Sequence, residues 1–144
     1  MSLPSYYITT PIYYVNDVPH IGHAYTTLAC DVMARFKRLD GYNVLFLTGT
    51  DEHGQKVEIA AEKSGIEPQL FTDQVSQNFR DLLPELDISN DDFIRTTEQR
   101  HKVAARVIWQ KLFDNGHIYR DKYSGWYSVR DEAYFSENEL IDGK

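Results

Sequence analysis

Two histidines three residues apart, His20 and His23 in the run His20-Ile21-Gly22-His23, stand where the apolar spacing places the opening of a helix. A helix N-terminus presents unpaired backbone N–H groups and a partial positive charge, and both favour phosphate oxygens. Imidazoles at i and i+3 reach one side of that turn, where each can donate to oxygens whose negative charge grows during displacement at phosphorus. Gly22 between them lets a flat base approach the backbone. On spacing alone, the same letters also describe two ordinary histidines near a helix start.

The second group is Thr48-Gly49-Thr50-Asp51-Glu52-His53-Gly54, read as a polar loop from Gly49 to Gly54 that follows a strand. Asp51 can fix a cationic ammonium by a charge-assisted hydrogen bond, and His53 adds a donor or acceptor beside it. A glycine-bounded loop holding a solvated Asp-Glu pair is the bland alternative. A metal-dependent hydrolase is a rival of another class, with His20, His23, Asp51 and His53 on zinc and Glu52 as general base. Against it, the histidine spacing is not the H-E-x-x-H of a helical zinc site. A nicotinamide-binding domain is disfavoured, because no G-x-G-x-x-G follows the first strand. A non-enzymatic binding module stays open.

Chemistry of this kind needs a scaffold, and the hydropathy pattern supplies one. Tyr6 to Thr10 is rich in aromatic and β-branched residues and stops at Pro11, which predicts a buried strand. Ala24, Leu28, Ala29, Val32, Met33, Phe36 and Leu39 recur at helical spacing and predict an amphipathic helix closed by Gly41. Val44 to Leu47 is a continuous apolar run, as in a parallel strand covered on both faces. Strand, helix, strand makes a βαβ unit, and open α/β sheets bind ligands outside the carboxyl ends of their strands.

Further helices are expected around Val57–Ala61, from Phe71 to Leu83, and from Val103 to Leu112 before Asn115-Gly116; a short strand is expected at Asp92–Thr96. From Ile118 to Phe135 there are four tyrosines, one tryptophan and no helical period, which predicts twisted strands in a small separate module. Met1-Ser2-Leu3 precedes the first element and is given no structural role.

Composition narrows the classes. The chain has 144 residues, 42% hydrophobic and 26% charged, enough for one core. Its net charge of −7 and pI near 5.1 argue against a dedicated nucleic-acid-binding domain, which needs clustered cations. Arg35, Lys37 and Arg38 read as a solvated helix face. No apolar run approaches the roughly 20 residues of a membrane span, no secretory leader pattern occurs, and Cys30 is the only cysteine, placed among core residues. A soluble, cytoplasmic protein with no membrane partner is expected.

The run Thr9-Thr10-Pro11-Ile12-Tyr13-Tyr14-Val15-Asn16-Asp17-Val18-Pro19-His20-Ile21-Gly22-His23-Ala24-Tyr25 closely resembles the signature region of bacterial-type methionyl-tRNA synthetases. So do Phe46 to Gly54 and Asp92-Phe93-Ile94-Arg95-Thr96-Thr97-Glu98, in the family's order. H-x-G-H alone also occurs in nucleotidylyltransferases; three separated matches are far more specific. The resemblance implies a class I aminoacyl-tRNA synthetase, α/β in class, with a Rossmann-type parallel sheet and helices on both faces. Methionine's carboxylate would attack the α-phosphorus of ATP, with Mg²⁺ accompanying the nucleotide, and the methionyl adenylate would pass its acyl group to tRNA(Met). By the same resemblance, His20 and His23 act catalytically and bind ATP together with Gly22, while Pro11, Ile12, Tyr14, Asp51 and His53 form the methionine site.

Two departures from the family pattern set further expectations. The second signature, K-M-S-K-S, does not occur in these residues, so residues 4–115 are expected to be the first half of the catalytic domain and inactive alone. Residues 116–144 resemble the start of a connective insertion, where many relatives carry a C-x-x-C zinc knuckle. Ser128 and Asp131 stand there instead, and neither suits a sulfur-rich zinc site, so no metal is expected.

Overall fold

Parallel pairing on both sides of one strand organises the first part of the chain. In the computed structural model, which describes residues 3–140, β3 (Asn43–Asp51) lies between β1 (Ser5–Thr9) and β2 (Tyr13–Tyr14) on one side and β4 (Asp92–Arg95) on the other. The register runs Ser5 opposite Asn43 to Thr9 opposite Leu47, Tyr13 opposite Thr50, and Leu47 opposite Asp92 to Thr50 opposite Arg95. Parallel strands need long crossovers, and α1 (Ile21–Leu39), then α2 (Gln55–Ser64) with α3 (Pro68–Glu85), provide them. The α/β class with a parallel sheet agrees with the sequence reading.

The strands differ from expectation in extent, number and burial. β3 runs on to Asp51, through residues read as loop, because Gly49 and Thr50 are paired to β4 and Thr50 and Asp51 to β2. Pairing on two sides overrides the low strand propensity of that stretch. The two-residue β2 carries no periodic signal and was not expected. β1 is less buried than predicted: among the described residues β3 is its one neighbour in the sheet, and Tyr7 is 58% exposed. Leu45 of β3 is also half-exposed, so the cover expected on both faces is incomplete among the described residues.

The helix α1 forms where predicted, but turned. Its buried residues are Thr27, Asp31 and Ala34, whereas Leu28, Val32, Met33, Phe36 and Leu39 are exposed. The inward face is small or polar because its polar groups are satisfied there. Thr27 Oγ1 bonds the Tyr13 hydroxyl at 2.9 Å, and Asp31 accepts from the Ser89 N–H, the Ser89 hydroxyl and Arg35. Arg35 and Arg38 are therefore tethers to residues 87–91 and not a freely solvated face, Arg38 donating to Ser89 and Asp91. The apolar core lies elsewhere, where Val15, Val57, Ala61, Phe71, Val75, Phe79 and Phe93 pack together.

The chain divides into two compact units, with the boundary between Lys102 and Val103. α4 (Gln99–Asp114) is followed by Gly116, whose φ of 74° is the left-handed conformation favoured just past a helix end. Beyond it, in the segment where strands were expected, β5 (Trp126–Ser128) and β6 (Ala133–Phe135) pair antiparallel, with Tyr134 edge-on to Tyr123 and tilted against Tyr127. Met1, Ser2 and the last residues of the expected insertion, 141–144, lie outside the described residues. No helix among those described is long and apolar enough to cross a membrane.

Candidate active site

His20 is the N-cap of α1, and the two histidines close a reciprocal capping box. His20 Nδ1 accepts from the Gly22 N–H at 3.1 Å, and His23 Nδ1 accepts from the His20 N–H at 3.1 Å. Each ring nitrogen that accepts a backbone proton carries none of its own, so in the neutral rings the proton sits on Nε2. Burial, and after it the neighbouring His20, push the His23 pKa below its usual value, which favours the neutral ring. The start of α1 thus presents two N–H donors, on rings whose centroids lie 3.9 Å apart.

Packing fixes where those donors lie. The His23 ring meets Tyr13 edge-on at 4.8 Å and Phe79 at 5.1 Å, and Tyr13 in turn stacks on Phe79 at 5.6 Å. Tyr13, buried and absent from the expected site set, is what seats His23. Gly22 has a local reason beyond the approach of a ligand: a Cβ there would lie 2.9 Å from His20 Cε1 and 3.1 Å from His20 Nδ1, displacing the ring that caps the helix.

An open cavity of about 440 Å³ is lined by Ile12, Tyr13, Tyr14, Asn16, Asp17, Val18, His20 and His23. It gathers four of the expected residues, Ile12, Tyr14, His20 and His23. Asp51 does not line it, but register sets Asp51 opposite Tyr14, which does, at the end of β3. Pro11 is exposed between β1 and β2, and Gly22 lies on the first turn of α1; neither lines the cavity. His53 is exposed and lines a neighbouring hollow with Glu52, Gly54, Gln55, Val57, Glu58 and Pro68.

Glu52 has a role that the sequence reading did not give it. Its side chain is fully buried, and Arg95 donates to both its oxygens, at 2.6 Å from Nε and 2.9 Å from Nη2. Thr50 and Thr97 hydroxyls complete the shell. Burial alone raises a carboxyl pKa, but the hydrogen bonds from Arg95, Thr97 and Thr50 outweigh it and hold Glu52 below its usual range. A carboxylate so occupied has no free face for activating water, which removes the general base of the hydrolase alternative. Among the described residues no three His, Cys, Asp or Glu side chains come together as a metal-holding group. Arg95, Thr96 and Thr97 were legible as residues at the carboxyl end of a strand, the place where such sheets bind ligands.

In the second unit, the Ser128 hydroxyl donates to Asp131 Oδ2 at 2.7 Å and accepts from the Asp131 N–H at 3.3 Å. The two residues at the knuckle positions thus close their turn with each other.

Comparison with known proteins places this geometry. Residues 6–144 match the family described as tRNA synthetases class I (M). The chain is 68% identical over 140 residues to the methionine–tRNA ligase of Rickettsia bellii, covering 97% of this chain and 28% of that one. It is 56% identical over 138 residues to the methionine–tRNA ligase of Bacillus subtilis, covering 96% of this chain and 21% of that one. A Mycobacterium tuberculosis methionyl-tRNA synthetase solved with methionyl-adenylate superimposes with a TM-score of 0.91 at 50% identity, over 98% of this chain and 28% of that one. The chain therefore spans under a third of the length of these relatives.

Proposed function

The chain belongs to the methionine-type class I tRNA synthetases, and from that premise we propose that it forms the part of a methionine–tRNA ligase that grips ATP and the methionine ammonium. The observation that carries the reading is the state of the two histidines. Their Nδ1 atoms are used in capping α1, so their Nε2–H groups are left to donate at a helix N-terminus beside a cavity. Such donors, fixed before the reaction, stabilise charge that develops on phosphate oxygens without reorganising.

In this reading the methionine carboxylate attacks the α-phosphorus of Mg²⁺-ATP, the bond to pyrophosphate breaks, and methionyl adenylate forms; transfer of the acyl group to tRNA(Met) follows. His20 and His23 hold the nucleotide through the displacement, and Gly22 gives the base access to the backbone. Asp51 pairs with the ammonium, with Pro11, Ile12, Tyr14 and His53 around the amino acid. Catalysis by this half is positioning and electrostatics, with no protein nucleophile. Residues 4–115 serve as the first half of the catalytic domain, and residues 116–144 as the start of the connective insertion.

Half a site is not expected to turn over. K-M-S-K-S does not occur in these residues, so the purified 144-residue chain should show no methionine-dependent exchange of pyrophosphate into ATP, while protein of the relatives' full length should. Robust exchange by the 144-residue chain, free of host enzyme, contradicts the division of the site.

The insertion segment is expected to bind no structural zinc, since Ser128 and Asp131 bond each other and offer no thiolate. Elemental analysis of the purified chain checks this. A full equivalent of tightly held zinc contradicts it.

A further inference from the structure

The tip of β3 turns at Asp51-Glu52-His53, and one threonine of the neighbouring strand end holds both sides of that turn. Thr96 is buried, and its Oγ1 accepts from the Glu52 N–H at 2.9 Å and lies 3.0 Å from His53 Nδ1. A threonine hydroxyl has a single proton. It can donate to His53 Nδ1 or, through its second lone pair, accept from it, so the one hydroxyl bonds both Glu52 and His53. Thr96 is itself fixed, because its N–H donates to the Thr50 carbonyl at 3.2 Å. Beside it, the Arg95 guanidinium forks onto buried Glu52 and also reaches Asp73 of α3. β3, β4 and α3 are thereby tied at one point, between Asp51 and His53.

We propose that Thr96, Arg95 and Glu52 are positioning residues for amino-acid recognition: they fix the end of β3 that carries Asp51 and the ring of His53, so that an anionic acceptor and an imidazole face the amino acid together. The inference rests on the synthetase reading above and goes beyond it, since none of the three is required to touch substrate. An α-amino acid offers an ammonium and a carboxylate a few bonds apart. A site that presents a carboxylate and an imidazole in fixed relation suits that pair, and small misplacement of such groups is costly.

The experiment uses full-length protein and compares Thr96→Val, which keeps the shape and removes the hydroxyl, with Thr96→Ser, which keeps the hydroxyl. Methionine-dependent pyrophosphate exchange gives separate KM values for methionine and ATP, and a denaturation midpoint is measured on each protein. For Thr96→Val the methionine KM should rise about tenfold or more, with the ATP KM changed less than about twofold, and Thr96→Ser should restore most of the loss. Unchanged methionine KM in Thr96→Val, or methionine and ATP KM rising together, overturns the inference even if the midpoint falls. Should Thr96→Val not fold, Arg95→Lys keeps the charge but not the planar fork and carries the same expectation and the same contrary result. Wild-type protein without methionine-dependent exchange overturns the synthetase reading and this inference together; wild-type exchange with an unmoved variant overturns this inference alone.

Discussion

Alanine at position 49 is expected to cost the 144-residue chain its fold. Gly49 sits inside β3 where β4 crosses closest: a Cβ built there lies 2.0 Å from the Ile94 carbonyl oxygen, 2.9 Å from the Ile94 carbonyl carbon and 2.7 Å from Ile94 Cγ2. Two of those three atoms are backbone, so no rotamer change relieves the clash. β4 would have to move away, breaking the pairing of Leu47–Thr50 with Asp92–Arg95. It would also pull Arg95 and Thr96 from Glu52, and stranding a buried charge in this way costs roughly 3–5 kcal/mol by itself. A loss above about 4 kcal/mol is a large share of the roughly 5–15 kcal/mol that holds a domain together. Urea denaturation followed by circular dichroism is the check. Gly49→Ala should be unfolded, or nearly so, without denaturant; a stability within about 1 kcal/mol of the parent contradicts the packing described for β3 and β4.

Where the sequence was legible, a local rule and the tertiary structure agreed. Gly65 closes α2 at a φ of 66° and Gly116 follows α4, each as the residue type dictates, whereas α3 begins at Pro68, three residues before the helix expected from Phe71. The positions of His20 and His23 followed from the helix start, and that of Asp51 from the end of the apolar run. What was not legible depended on partners distant in sequence. Thr27 and Asp31 face inward because Tyr13 and Ser89 meet them, and no periodicity in α1 announces that. Glu52 read as a solvated neighbour of Asp51, since Arg95, its counter-charge, lies 43 residues away. The capping box of His20 and His23 was hidden for another reason: Ser, Thr, Asp and Asn are the usual N-caps, and histidine is not.

The exposed stripe of α1 belongs to the same lesson. Leu28, Val32, Phe36 and Leu39 form the apolar pattern that predicted the helix correctly and its inward face incorrectly. A hydrophobic period marks a helix; which residues it buries depends on what else is present to be covered.

The second large effect separates the two groups of residues. Asp51 stands at the end of β3 opposite Tyr14, and His23 on the first turn of α1, so one substitution should disturb amino-acid binding and the other the handling of phosphate. In full-length protein, Asp51→Ala should weaken methionine binding by roughly 1.5–3 kcal/mol, the usual worth of a charge-assisted hydrogen bond, which is about 10- to 150-fold. ATP affinity should change much less. His23→Ala removes a donor to charge that grows in the transition state, so it should lower the rate of activation and leave methionine affinity nearly unchanged.

Single-turnover formation of methionyl adenylate by full-length protein, measured across methionine and ATP concentrations for wild type, His23→Ala and Asp51→Ala, is the most direct test. The expected result is a slowed maximal rate with normal methionine dependence for His23→Ala, and a methionine dependence shifted to much higher concentration for Asp51→Ala. Adenylate formation unaltered by either substitution would contradict the assignment of these residues to methionine activation.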